Sequence, residues 1–396
     1  MTISVEPVHK SLRYFDHLAA AGIERLFLNR PAPFSDSDPR ERLAYALGAT
    51  LYVPGTRPDL AATIARRCSD GVRSMVIDLE DAVADDELEA GLAQTVSALD
   101  ALAGTSAGGM LLFVRTRTAR DIGRLIDQLG PGVDALTGFV VPKFTADSEP
   151  SLAAVVDASS RVGKHLYVMP VLESPELVHG QTRDIQLRAI AELLNRYRTH
   201  VLAARIGATD MCGVYGIRRD RDLTIYDVAV IADAISGIVN YLGRRDDSGF
   251  VITGPVWEYF ADHERMFRPM LRTTPFAEHD AVRFRQQLVS RDLDGLLREI
   301  ALDRANGIHG KTVIHPSHVS PVNALSAVTH EEYLDALDIT EAKTGGVRAS
   351  TYGNKMNEAK PHRNWAEQVL IRASVFGVTN PGITFVDLLT ELVTPS

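Results

Sequence analysis

The stretch SMVIDLED (residues 74–81) runs through Met75, Val76 and Ile77 and ends on the carboxylates Asp78 and Glu80. An uninterrupted apolar run suits a strand buried on both faces, as in a parallel sheet, and an ionised group inside such burial needs a partner, so it marks the strand's end. The same pattern recurs in LLFVRTR (111–117) with Arg115, in HLYVMPVLES (165–174) with Glu173 and in AARIGATDM (203–211) with Asp210. One such run would mean little. Several of them, far apart in sequence, argue for a ring of parallel strands with its chemistry at the C-terminal rim, which is how a (β/α)8 barrel is built.

Working outward, ATLYVPG (49–55), GFVVPKF (138–144), GFVITGPV (249–256) and KTVIHPSH (311–318) supply further strand-like runs, and with the first four make eight. Helical patterns lie between them at 57–68, 86–103, 119–129, 151–160, 183–197, 225–242 and 278–305. Alternating strand and helix implies a parallel sheet, and eight repeats permit closure. A doubly wound open sheet fits less well, because the candidate site residues recur around the count instead of clustering at one switch point. The expected fold is therefore an α/β TIM barrel over 49–325, with an N-terminal helical extension over 1–48 and a C-terminal helical tail over 326–396. RPAPFSDSDPRER (30–42) reads as a polar connector. Two segments break the rhythm: YFADHERMFRPMLRTTPFAEHD (259–280), too long for an ordinary loop at that end, and the tail, with KTGGVRASTYGNK (343–355) followed by the helix-like PHRNWAEQVLIRASVFG (361–377).

Composition removes several classes of function. Lys plus Arg minus Asp plus Glu is 42 − 51 = −9, which argues against a nucleic-acid backbone or an anionic membrane as partner. An anionic substrate must then be held by local cations. The two cysteines, Cys68 and Cys212, have no CxxC spacing, so neither a disulfide framework nor a zinc site is expected. The first 22 residues contain Glu6, Lys10, Arg13 and Asp16 and no apolar core of a secretory signal, which leads us to expect a cytoplasmic protein.

Period-two alternation sends Asp78 and Glu80 to one face and Asp81 to the other, where a helix cap or a structural ion pair is expected of it. Two carboxylates in one barrel mouth repel unless a cation or proton stands between them. Glu173 and Asp210 end consecutive strands, so their carboxylates can converge on one ion. Carboxylates without His or Cys form a hard-oxygen set that suits Mg²⁺. Arg115 offers a guanidinium fork for a carboxylate or a developing enolate oxygen. Arg117 reads as an exposed loop arginine and Lys143 as an ion-pair former, with a Schiff-base role as the sharper option. His315, at the end of the eighth run, either relays a proton or is an ordered, hydrogen-bonded histidine. Gly207 and Gly216 allow close approach of backbone to the site.

Taken in order, these segments resemble the superfamily of the citrate lyase beta subunit and malyl-coenzyme A lyase. The resemblance rests on LYVPGTRPD (51–59), SMVIDLEDAV (74–83), VRTR (114–117), PVLESP (170–175), GATDMCGVYGIRRD (207–220) and GIHGKTVIHPSHVSPVN (307–323). It implies a TIM barrel in which Glu173 and Asp210 ligate Mg²⁺, Asp78 and Glu80 organise the site, and Arg57, Arg115, Lys143, Gly207, Ala208 and His315 contact substrate. It further implies a carbon–carbon lyase, or the reverse aldol-type condensation, on a small oxoacid or hydroxyacid. The assembly would be a homo-oligomer, commonly a trimer, whose tail reaches the adjacent protomer. In that family the tail places an Asp shortly before a Pro-His pair. Here the stretch is KMNEAKPHRNW (355–365), in which Glu358 is the acid at hand, so use of a coenzyme A thioester stays open. The long N-terminus and the insertion resemble the lyase-like barrels associated with tellurite-resistance and stress gene clusters. Two other readings stand beside the lyase: another Mg²⁺ and enolate reaction on the same barrel, and a ligand-binding or scaffold barrel that has lost the tail acid.

Overall fold

In the computed structural model, which describes residues 11–260, 293–342 and 346–393, eight parallel strands close into a barrel. They are β1 (Ala49–Pro54), β2 (Ser74–Asp78), β3 (Leu111–Arg115), β4 (Leu136–Val141), β5 (Tyr167–Leu172), β6 (Ala204–Ile206), β7 (Ile252–Gly254) and β8 (Ile308–Val313). Each pairs with its successor, and β8 closes on β1 through Ala49↔Lys311, Thr50↔Thr312 and Leu51↔Val313. All eight expected runs contain a strand. The last is displaced: β8 begins at Ile308, where Gly307 at φ +78° turns the chain out of the preceding helix, and ends at Val313. Pro316 then opens a short 3-10 turn, so His315 stands beyond the strand.

Helices fill the expected intervals at Leu60–Ser69, Leu88–Leu102, Ala119–Gln128, Glu149–Val162, Gly180–Arg196, Ala229–Leu242 and Asp294–Ala305. Their burial follows the apolar stripe that docks on the barrel. The helix Ala119–Gln128, for example, buries Ile122, Leu125 and Ile126 and is started by a capping box between Thr118 and Asp121. The insertion from residue 261 to 280, and the part of the expected 278–305 helix before residue 293, lie outside the described residues. Among the described residues no helix is long and apolar enough to cross a membrane.

The two ends of the chain are packed together, which reading them as separate extensions did not anticipate. In the N-terminal segment a helix, Ala20–Leu26, is followed by a strand, Phe27–Asn29, which pairs antiparallel with Val378–Thr379 from the tail. The stretch expected to be a polar connector holds a buried Phe34, stacked on Tyr14 at 5.7 Å between ring centroids, while Tyr14 also meets Phe376 of the tail at 4.4 Å. Its end is helical, Arg40–Ala46. Burial of these aromatics overrides the local polar composition. In the tail, His330–Glu341 packs on Arg363–Phe376 around Ala336, Ile339, Ala366 and Val369, and Phe385–Val393 lies on Val319–Ser326.

One acid ties this tail to the barrel. Glu332 completes the capping box with Thr329 and accepts from Arg304 at 3.2 Å and Arg372 at 3.0 Å. Burial alone would raise its carboxyl, but Arg372 and Arg304 prevail and hold it down at about 2, against an ordinary value of 4.5. A depressed carboxylate stabilises the fold above its unfolded pKa, and that contribution is lost as pH falls from about 4.5 toward 2. Glu332→Gln should therefore remove on the order of 2–3 kcal/mol at neutral pH and flatten the acid limb of the stability curve. Urea titrations between pH 7 and pH 3 would read this, and parallel wild-type and variant curves would refute it.

Candidate active site

At the C-terminal ends of β2 and β3, Arg115 and Asp78 form a two-pronged pair, with Nε to Oδ1 at 2.6 Å and Nη2 to Oδ2 at 2.6 Å. The carboxylate of Asp78 also accepts from the backbone N–H groups of Glu80 at 3.0 Å and Ala82 at 3.3 Å. It therefore shapes the turn as well as orienting the arginine. The other edge of Arg115 is shared: Nη1 lies 2.9 Å from Glu80 Oε2, an ion-pair distance without hydrogen-bond geometry, and 3.3 Å from Asp81 Oδ2. Below the guanidinium lies the ring of Tyr52 on β1, 5.4 Å from Cζ. Burial opposes the charge on Arg115, but Asp78, Tyr52 and Glu80 raise its pKa above the usual arginine range.

Asp81 does not face away from this group. The strand ends at Asp78, the alternation ends with it, and the following turn brings Asp81 to 3.3 Å from Lys143 Nζ as well as to Arg115. The ion pair expected of Asp81 thus exists, on the mouth side. Lys143 also pairs with Glu80. Burial and the adjacent Asp81 carboxyl push Glu80 up, while Lys143 and Arg115 oppose the rise. Arg117 is not an exposed loop arginine but a clamp, donating to the carbonyls of Leu79 and Val83 at 3.0 and 2.6 Å and pairing with Asp85.

Glu173, 3% exposed beyond the end of β5, accepts the backbone N–H of Lys143 at 2.8 Å on Oε1. To make that bond Lys143 adopts φ +47°, a left-handed conformation that costs a non-glycine residue about 1–2 kcal/mol. Burial raises the Glu173 carboxyl to about 7, the charges of Asp210 and Glu80 add to the rise, and the Lys143 amide and Arg115 oppose it. Asp210 sits in the first turn of the short helix Ala208–Val214. Burial and the charge of Asp81 push it upward against Lys143 and Arg115. These mutual charge effects put Glu173, Asp210, Arg115, Lys143, Glu80 and Asp81 in one cluster.

Gly207, immediately before that helix, is where the two metal candidates are brought together. A Cβ there would fall 1.8 Å from Glu173 Oε2 and 2.6 Å from its Cβ. Only glycine allows this contact. Gly207→Ala should displace the Glu173 carboxylate and lower turnover by about 10²-fold with little loss of melting temperature. Steady-state rates beside thermal unfolding would test it, and a full-rate variant would show that nothing depends on the contact.

Arg57 bonds locally to Asp59 at 2.8 Å and Thr63 at 2.9 Å at the start of its helix. His315 Nδ1 bonds Ser317 Oγ at 2.7 Å, and its ring stacks on Phe260 at 4.4 Å, an ordered histidine in the 3-10 turn. Ala208 begins the Asp210 helix. Glu358 ends a two-stranded ribbon, Val347–Ala349 with Met356–Glu358, and its backbone N–H bonds His362. It has no contact with the mouth cluster in its own chain among the described residues.

Sequence reasoning passed over Tyr52 and Arg205. Arg205, on β6, is 1% exposed inside the barrel, with Nη2 on Thr312 Oγ1 at 2.6 Å, Nη1 on Met169 Sδ at 3.8 Å and Nε without a partner among the described residues. Its Cζ lies 5.6 Å from the Tyr52 ring, so Tyr52 is flanked by two guanidinia. An arginine amid the apolar residues of AARIGA was the available signal.

A profile of the family described as C-C bond lyase of the TIM-barrel fold matches residues 41–378, most of the chain. The chain belongs to that family. Solved structures similar to this lyase-family barrel include the protein CitE from Mycobacterium tuberculosis in complex with magnesium, acetoacetate and coenzyme A. That likeness has 19% identity, 82% of this chain and 97% of that chain covered, and a TM-score of 0.50. A citrate lyase from Burkholderia xenovorans LB400 is 15% identical, over 88% of this chain and 96% of that chain, with a TM-score of 0.57. At these identities the likeness is one of fold. No curated protein shows a significant sequence match.

Proposed function

We propose that this member of the carbon–carbon bond lyase family is Mg²⁺-dependent and cleaves, or in reverse condenses, a small oxoacid or hydroxyacid. The observation that carries this reading is a charge imbalance. The mouth gathers the five carboxylates of Asp78, Glu80, Asp81, Glu173 and Asp210 around the two cations of Arg115 and Lys143. Both cations are engaged by Asp78, Glu80 and Asp81. Among the described residues Glu173 has only a backbone amide as partner, and Asp210 has no ion pair. A partly buried pair of unneutralised carboxylates is costly unless a cation is supplied.

The donor set fits Mg²⁺. Mg²⁺ typically takes one or two carboxylates and leaves its other positions to water and substrate oxygens. Glu173 and Asp210 would hold it, and when bound it would act as a Lewis acid on the substrate's oxygens. The chain's own residues would do the rest. Asp78 and the Tyr52 ring fix the plane of Arg115, whose Nη1 edge, shared between Glu80 and Asp81, is the donor a substrate oxygen can take over. That guanidinium supplies a pre-oriented positive charge for the enolate left when the carbon–carbon bond breaks. Lys143 shares Glu80 and Asp81 with Arg115 and so offsets their charge.

The CitE structure with magnesium, acetoacetate and coenzyme A supports the metal and the substrate class. Whether the acid arrives free or as a thioester turns on Glu358, through a homo-oligomer if the tail of one protomer reaches the mouth of another. Titration calorimetry with Mg²⁺ and oxaloacetate, followed by NMR analysis of products from free acids and from coenzyme A thioesters, tests the proposal. We expect metal-dependent substrate binding and formation of two carbon fragments. Binding without bond cleavage across the series would favour a barrel that retains only its pocket.

A further inference from the structure

The opposite end of the barrel contains a second concave site. A cavity of about 430 Å³, within the range of small-molecule pockets, is lined by Arg40, Arg198, Arg244 and Arg245. Its position follows from the topology. Arg40 opens the helix Arg40–Ala46 that leads into β1, Arg198 precedes β6, and Arg244, Arg245 and Phe250 precede β7. All therefore lie at the N-terminal ends of strands, away from the mouth. Gln368, on the tail helix Arg363–Phe376, closes one side, so the cavity is assembled from the barrel together with both ends of the chain.

These guanidinia are held in place mainly by carbonyls and side-chain amides rather than by close ion pairs. Arg198 donates to the carbonyl of Gly249 at 2.9 Å and to the side chain of Asn195 at 3.2 Å, and lies over the Phe250 ring at 4.4 Å. Arg40 donates to the carbonyl of Val201 at 3.1 Å and lies 5.9 Å from the same ring. Arg244 donates to the carbonyl of Asn240 at 3.1 Å. Arg245 bonds Gln368 at 3.0 Å, and its ion pair, with Glu41, is at 4.0 Å. Three carboxylates, Glu41, Asp247 and Glu367, also line the cavity, and among the described residues none of them accepts a hydrogen bond from the four arginines. Burial and the neighbouring charge of Arg40 pull Arg198 below the usual arginine range, and the charges of Asp247 and Asp246 only partly oppose them.

We propose that this cavity binds a small phosphate-bearing anion, at a site separate from the catalytic mouth. Guanidinium forks match phosphate oxygens two at a time, and convergent arginines whose donors rest on carbonyls gain most from such a ligand. With Phe250 buried beneath two of them, the ring serves as a platform that fixes the arginines rather than as a surface for the ligand.

Inorganic pyrophosphate is the probe, titrated calorimetrically into the full-length protein in EDTA so that no divalent ion recruits it to the mouth, at ionic strength held constant with NaCl. We expect one saturable site, weakened about tenfold or more by Arg198→Gln and by the double change Arg40→Gln with Arg244→Gln, and unaffected by Arg115→Gln. Arg198 also holds the loop at residues 247–249, so the double variant is the decisive one: among the described residues the side chain of each makes a single hydrogen bond, to backbone. Its fold is checked by circular dichroism and melting temperature. No saturable binding by wild type, binding that survives in the folded double variant, or binding abolished by Arg115→Gln instead would each overturn the proposal.

Discussion

Glu173→Gln combined with Asp210→Asn should abolish calorimetric Mg²⁺ binding and lower lyase turnover by at least about 10³-fold, with the barrel still folded. The expectation follows from what each group lacks. Asp78, Glu80 and Asp81 are neutralised inside the protein, so loss of either metal candidate cannot be made good by a neighbour without releasing Arg115 or Lys143. The amide replacements keep shape and remove charge, so the fold should be preserved or slightly stabilised, since burial already disfavours ionised Glu173 and Asp210. Loss of activity with gain of stability is the outcome a purely structural role for the pair does not produce. Wild-type rates in the double variant, measured at saturating Mg²⁺, would remove these residues from the metal site.

The barrel was legible because its evidence is local and repeated. Runs such as MVI, LLFV and FVV, repeated between helical patterns, suit strands of a parallel sheet buried on both faces, and their charged ends mark the rim. What escaped reading depended on contacts across the structure. Asp81 was assigned to the wrong face because alternation holds only while the strand lasts, and β2 stops at Asp78. Lys311 opens the run expected as the last strand but stands in the middle of β8, buried against Glu299 and Asp303 of the preceding helix. Arg117 looked like a loop residue because its partners, the carbonyls of Leu79 and Val83, carry no side-chain signal. Phe34 was hidden in a polar stretch, since its partner Tyr14 lies twenty residues upstream and is itself covered by Phe376 of the tail. The site is a similar case: the charged candidates could be named from strand ends, but not the division into neutralised and unneutralised carboxylates, which is set by side-chain reach.

Glu299→Ala should destabilise the protein by about 3–5 kcal/mol, the largest stability effect expected of a single change here. Glu299 is fully buried on Asp294–Ala305, where it pairs with Arg219, accepts Lys311 Nζ at 2.9 Å and accepts the backbone N–H of Ile225 at 2.7 Å. Lys311 continues to Asp303 at 2.7 Å, and Tyr226 completes that carboxylate's bonds at 2.8 Å. Removal of Glu299 strands Arg219 with no full counter-charge at its centre, since its other acidic neighbour, Glu258, is 4.0 Å away. Lys311 keeps Asp303. The penalty is therefore chiefly an uncompensated buried guanidinium, not a missing contact, and it should shrink when the cation is removed as well. Glu299→Ala with Arg219→Met should recover part of the loss, as apolar replacement of a whole buried pair costs less than breaking it. The same network anchors the segment 215–227 that follows the Asp210 helix, so Glu299→Ala should also weaken Mg²⁺ binding although it touches no ligand. Chemical denaturation of the two single variants and the double would measure the coupling, and additive losses would show that the charges act independently.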